Sequence, residues 1–167
     1  MSFSFDALHF LLVDDNHHMR AIVGVILRSS GVRHLREAQD GADALESLRQ
    51  WPADIVIADF KMAPMDGVEF VRAVRQSKTP YLPVIMMTGF SDRSRICEAR
   101  DAGVTEILAK PITARSLLER VESVILQPHP FVRSGAYFGP CRRRTVRGSY
   151  LGEERRGASA TLKTVSL

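Results

Sequence analysis

The sequence predicts an α/β chain: a doubly wound, five-stranded parallel sheet of (βα)5 type, followed by an irregular C-terminal tail. Two observations carry this. Short apolar runs alternate with segments of helical period from residue 9 to residue 126, and the joints between them are short, as in a parallel sheet covered on both faces by helices.

His9 to Val13 reads as a buried first strand. Met19, Ile22, Val23, Ile26 and Leu27 then recur at helical spacing until Gly31 stops the helix. Arg33 to Glu37 is a short second strand, and Gly41 to Gln50 a helix with Ala42, Leu45 and Leu48 on its inner face, ended by Pro52. Asp54 to Ala58 is a β-branched run and therefore a central strand, ending on Asp59. Val68 to Lys78 carries Val71 and Val74 at helical spacing, and Pro83 to Met87 is the fourth strand. Ser91 or Asp92 caps a helix bearing Ile96 and Ala99 that closes at Gly103, and Thr105 to Ala109 makes the fifth strand. Thr113 caps the last helix, with Leu117, Leu118, Val121, Val124 and Ile125 as its apolar stripe; Pro128 and Pro130 prevent its continuation.

The domain therefore spans residues 1–127, and residues 128–167, rich in Pro, Gly, Arg and Ser without a period, form a flexible basic tail. The 167 residues suit one domain with an appendage, and 45% apolar with 25% charged residues is globular composition. No apolar run reaches the roughly 18 residues a bilayer span needs, and the N-terminus lacks a signal pattern, so a cytoplasmic protein without membrane attachment is expected. Cys97 and Cys141 lack disulfide or zinc spacing. The net charge of +4 is unevenly placed: 15 Lys and Arg against 17 Asp and Glu up to Gln127, but 8 against 2 beyond it. Basicity belongs to the tail.

Ligands of an open parallel sheet bind outside the carboxyl ends of its strands. There the pattern places Asp14 and Asp15 after the first strand, Asp59 after the third, Thr88-Gly89 after the fourth and Lys110 after the fifth. Three carboxylates brought together raise one another's pKa and need cations to stay ionised. Lys110 supplies one. A few carboxylates with room for waters and a phosphate suit Mg²⁺ as the other.

In these residues the chain resembles the receiver domain of bacterial two-component response regulators, the CheY-like family with a flavodoxin-like fold. The resemblance covers roughly residues 8–127 and rests on Asp14-Asp15, Asp59, Met65-Asp66-Gly67, Thr88-Gly89 and Lys110-Pro111, in that order. It implies that Asp59 is the phosphoacceptor, loaded by a histidine kinase or histidine phosphotransfer protein. It further implies Mg²⁺ held by Asp14, Asp15, Asp59 and the Lys61 backbone carbonyl, Lys110 on a phosphoryl oxygen, Thr88 as the hydroxyl that reads occupancy, and a cis Lys110-Pro111 bond. Such a protein signals by phosphorylation-dependent protein binding and catalyses only its own phosphotransfer and dephosphorylation.

The chain departs from the family in two places, and two further residues stand where the family varies. Ile107 stands where an aromatic switch residue is common, implying a weaker or differently routed switch. Pro64 lies one place later than usual. Lys61 and Phe90 occupy positions that affect water access in the family.

Other readings stay open. Asp14 and Asp15 could instead cap a helix, Asp59 could pair with Lys110 for structure alone, His17 and His18 read as solvated, and the methionines Met62, Met65, Met86 and Met87 read as packing. The tail, with Phe131, Tyr137 and Phe138 among Arg133, Arg142 to Arg144, Arg147, Arg155 and Arg156, favours a protein partner over nucleic acid. A receiver scaffold that is never phosphorylated, and an adaptor binding nucleic acid through the tail, are the alternatives. A phosphatase of haloacid dehalogenase type would need DxD where this chain has Asp14-Asp15.

Overall fold

The computed structural model describes residues 4–89, 93–141 and 163–164. In chain order the elements are β1 (His9–Val13), α1 (His17–Ser29), β2 (His34–Ala38), α2 (Gly41–Gln50), β3 (Ile55–Asp59), α3 (Gly67–Arg75), β4 (Val84–Thr88), α4 (Arg93–Ala102), β5 (Glu106–Ala109) and α5 (Ala114–Leu126). Two further strands, β6 (Phe131–Ser134) and β7 (Tyr137–Pro140), and a short β8 (Lys163–Thr164) follow. The first five strands form one parallel sheet in the order β2-β1-β3-β4-β5. The predicted class and all ten of its elements are present.

Side chains alternate across the sheet with period two, so each buried strand feeds two cores. Phe10 and Leu12 of β1, with Ile55 and Ile57 of β3, face Val23 and Leu27 of α1 and Leu117, Val121 and Val124 of α5. Leu11, Val13, Val56 and Ala58 point the other way, onto Val68, Val71 and Val74 of α3 and Ala99 and Ala102 of α4. β3 and β4 are buried along their whole length, so their polar side chains are gathered at the strand ends, where Asp59 and Thr88 stand.

The helix boundaries have local causes. Asn16 caps α1 by accepting from the backbone N–H groups of His18 and Met19, Asp40 caps α2, and Asp66 with Glu69 closes a capping box on α3. Thr113 caps α5 as its position predicted. Gly31 and Gly103 take φ of 97° and 100°, the left-handed conformation that ends a helix. The third helix stops at Arg75 rather than Lys78, because the Ser77 hydroxyl donates to the Val74 carbonyl and Thr79-Pro80 turns the chain away. Phe90, Ser91 and Asp92 lie outside the described residues.

The start of the tail is where the structure differs from expectation. Residues 131–140 are an antiparallel hairpin, turned at Gly135 and pinned where the Cys141 N–H donates to the Pro130 carbonyl at 2.7 Å. Val132 and Arg133 also pair with Thr164 and Lys163 of β8. Phe131 and Phe138 pack on Tyr81 with ring centroids 5.1 and 5.5 Å apart. The signal was present in FVRS-GA-YFGP, two short β-prone runs around a two-residue Gly-Ala turn; flanking prolines and arginines concealed it. Arg142 to Arg144, Arg147, Arg155 and Arg156 lie outside the described residues.

Candidate functional site

The carboxyl ends of β1, β3 and β5 bring the predicted residues together. The Lys110 Nζ lies 2.8 Å from Asp59 Oδ1 and 4.0 Å from Asp14 Oδ2. Asp14, Asp15 and Asp59 each offer a carboxylate oxygen, and the three atoms lie within 4.8 Å of one another. Asp14 is 1% and Asp59 6% exposed, whereas Asp15 is open to solvent. Thr88, 4% exposed, ends the neighbouring strand, and its carbonyl accepts from the Lys110 N–H at 2.8 Å. Position 89 faces open space, since a Cβ there would meet nothing within 4 Å.

The backbone explains why these groups meet. Asp59 pairs in register with Met87, and the following Phe60 N–H donates to the Met87 carbonyl, fixing the end of β3 against β4. Gly67 donates to the Phe60 carbonyl and lies so close beneath β3 that a Cβ would collide with the Asp59 carbonyl oxygen. The glycine of Met65-Asp66-Gly67 is thus needed for close approach. Both Lys110-Pro111 and Ala63-Pro64 are cis.

Asp14 and Asp15 do not cap α1; Asn16 does. Asp14 Oδ1 accepts from the Asn16 N–H at 2.8 Å, while Asp14 Oδ2 is buried with no hydrogen-bond partner among the described residues. Burial pushes the Asp14 carboxyl above its ordinary pKa, the nearby Asp59 and Asp15 carboxylates add to the rise, and the Asn16 hydrogen bond and Lys110 oppose it. A buried oxygen without a hydrogen bond, facing two more carboxylates and one ammonium, is a place for a hard cation. The donor set fits Mg²⁺.

Three supporting residues escaped the sequence reading. Asn16 orients Asp14, and Arg20 donates from Nη1 to the Asp14 carbonyl at 2.7 Å and from Nε to Glu37 at 3.2 Å. Asn before a helical run was a readable cap; the Arg20–Glu37 tie spans two elements and leaves no local mark. Ile107 is half-buried and packs on the core formed with α3 and α4. Lys61 is exposed, and Met62, Met65, Met86 and Met87 are packing residues, as read.

The cost of ionising Asp14 gives a testable sign. Its folded pKa exceeds the unfolded one, so the folded chain holds this proton more tightly. That contribution is complete below the ordinary carboxylate range and is lost as pH rises through the raised value. Asp14→Asn, which places an amide donor against the facing carboxylates, is expected to stabilise the metal-free protein at neutral pH by about 1–3 kcal/mol. Thermal melts in chelator check it; a variant that melts below wild type would refute the argument.

The fold and this centre define a doubly wound α/β protein with a carboxylate–ammonium cluster at the carboxyl ends of its strands. The chain belongs to the response regulator receiver domain family, whose sequence pattern matches residues 10–122. It is 38% identical over 118 residues to the chemotaxis protein CheY of Pseudomonas aeruginosa, covering 70% of this chain and 95% of that one. Chemotaxis protein CheY-3 of Vibrio cholerae is 36% identical over 118 residues, with 70% and 91% covered. Among solved structures, CheY4 of Vibrio cholerae superposes with a TM-score of 0.66 at 33% identity, covering 71% of this chain and 99% of that one. The protein is CheY-like, part of a two-component system, and a signalling protein rather than an ordinary enzyme. No helix among the described residues is long and apolar enough to cross a membrane.

Proposed function

We propose that Asp59 accepts a phosphoryl group from a histidine kinase or histidine phosphotransfer protein, and that the loaded chain signals by binding a downstream protein. One observation carries this reading: a nearly buried carboxylate lies 2.8 Å from an ammonium and beside two further carboxylates, one of which has a buried oxygen with no hydrogen-bond partner among the described residues. A purely structural Asp59–Lys110 pair would give no reason to bury Asp14 next to it.

In the reaction an Asp59 oxygen attacks the phosphorus of a phosphohistidine. The new O–P bond forms as the N–P bond breaks, and the bonding pair leaves with the imidazole nitrogen, which takes a proton from solvent. Phosphoryl transfer of this kind is limited by positioning and charge neutralisation. Lys110 holds one phosphoryl oxygen, the Thr88 hydroxyl donates to another once the group is attached, and position 89 leaves room for it. Asp14, Asp15, Asp59 and the Lys61 carbonyl would hold Mg²⁺, which would supply neutralisation of the negative charge of the reacting groups. Attack by water on the acyl phosphate returns Asp59 and inorganic phosphate, the chain's own dephosphorylation. A cytoplasmic location accords with this reading.

The test is labelling by acetyl phosphate with and without Mg²⁺, followed by transfer from candidate kinases. Acid-stable, alkali-labile label that requires the metal supports the reading; no label under any of these conditions overturns it and returns weight to an unphosphorylated scaffold.

The donor's docking site is α1, which begins beside the acidic centre. Its outer face leaves Ile22 and Val25 at 51% and 62% exposure, one turn apart with Ala21, next to exposed His18. A helical donor domain covering that stripe would sit against the strand ends. Ile22→Asp is expected to slow transfer from the kinase about tenfold or more while leaving acetyl phosphate labelling unchanged. Equal loss with both donors would place the effect in the centre instead.

A further inference from the structure

The C-terminal hairpin lies beyond the stretch shared with the family, yet it is built into the fold. Phe131 is 8% exposed, and the Arg75 guanidinium sits over its ring at 5.0 Å. Backbone touches backbone at two glycines: a Cβ on Gly139 would lie 2.9 Å from the Gly103 Cα, and one on Gly103 would lie 3.1 Å from the Phe138 carbonyl oxygen. His129 Nε2 reaches the buried Glu106 carboxylate of β5 at 3.1 Å. The hairpin is therefore seated on the turn between α4 and β5.

That turn is the far end of two elements whose near ends carry the acceptor centre. β4 ends on Thr88 and α4 runs back along the sheet from Arg93, while β5 runs forward to Lys110. Ten residues make α4 a rod about 15 Å long. It is lightly anchored, burying only Ala99 and Ala102 fully, with Ile96 half-covered. A cavity of about 440 Å³ separates it from β5 and the hairpin, lined among others by Ile96, Ile107 and Tyr137. A small-faced helix bordered by an open cleft can shift at low cost, whereas close-packed backbone at its end transmits the shift.

We infer that the hairpin is a phosphorylation-sensitive element: its seating on the α4–β5 turn differs between the empty and the phosphoryl-loaded states of Asp59. This inference rests on the phosphoacceptor reading. It gives the family's shared fold an added output element in a chain whose position 107 carries no aromatic ring. Coupling of this kind is reciprocal, so loosening the hairpin must in turn change the affinity of the acceptor centre for a phosphoryl mimic.

The experiment uses the full chain with Mg²⁺ and beryllofluoride, a phosphoryl mimic, read by hydrogen exchange. Expected is a change of about fivefold or more in exchange over residues 131–140, requiring both Mg²⁺ and beryllofluoride and absent in Asp59→Asn. Phe138→Ala, which removes a hairpin ring away from the acidic centre, is expected to shift beryllofluoride affinity by about threefold or more. Protection appearing at β1, β3 and β4 while residues 131–140 and the Phe138→Ala affinity stay unchanged would overturn the inference and leave Asp59 as the acceptor. No binding of beryllofluoride at all would overturn both.

Discussion

Asp59→Asn is expected to reduce phosphoryl uptake from acetyl phosphate by at least about a thousandfold, to the background of the assay. An amide oxygen keeps the shape of the carboxylate but not its charge or nucleophilicity, and no neighbour replaces it. Asp15 is solvent-exposed, and Asp14 spends one oxygen on the Asn16 N–H. Lys110 would lose the charge of its 2.8 Å partner but could still donate to the amide oxygen and would face Asp14 at 4.0 Å, so the fold should tolerate the change. Melting temperature separates a missing acceptor from a missing fold: a folded variant with no label supports Asp59, and one that labels as wild type does moves the acceptor elsewhere. Lys110→Ala tests a different part of the same centre. It leaves the nucleophile in place and removes the fixed cation, so uptake should fall by less than in Asp59→Asn.

How much of this centre could be read beforehand depended on where each residue's partners lie. Asp14, Asp15, Asp59, Thr88 and Lys110 follow apolar runs that are recognisable one by one, and a parallel sheet brings their ends to one edge whatever the packing details. Thr113 was legible for the same reason, since a helix cap is a local device. Arg20 was not, because its partners are the Asp14 carbonyl and the Glu37 side chain of another strand. The hairpin failed for another reason: its two strands of four residues are stabilised by Tyr81, Arg75 and Gly103 of the domain, and the local run alone is too short to declare itself.

Arg75 is the least legible structural residue and the one whose loss should cost most. From sequence it is a basic residue in the last turn of a helix, where such residues favour the macrodipole from solvent. In the structure it is 7% exposed, donating from Nε to the Gly103 carbonyl at 2.9 Å and from Nη1 to the Pro80 and Leu82 carbonyls at 2.9 and 2.7 Å. Nη2 reaches the Thr105 hydroxyl at 3.4 Å, and that hydroxyl also accepts from the Val84 N–H at 3.0 Å. One side chain thereby satisfies the loop entering β4, the turn entering β5 and, through Phe131, the hairpin. Burial pulls its pKa down to about 10, so it remains charged at neutral pH. Arg75→Met keeps the stem and relieves the buried charge, but it leaves three carbonyls without their donor. At about 1–3 kcal/mol for each buried unsatisfied group, partly recovered by water, the variant should lose about 3–5 kcal/mol of folding stability. Arg75→Lys should rescue little, since a single ammonium cannot reach in three directions from one stem. Urea unfolding of wild type and both variants measures this directly, and Phe131→Ala in the two backgrounds gives the coupling between guanidinium and ring. Asp59 lies apart from this network, so acetyl phosphate labelling of the folded variant should persist at low temperature. A loss below about 1 kcal/mol in Arg75→Met would mean that water or a relaxed loop serves those carbonyls equally well, and that the hairpin is held without help from the guanidinium.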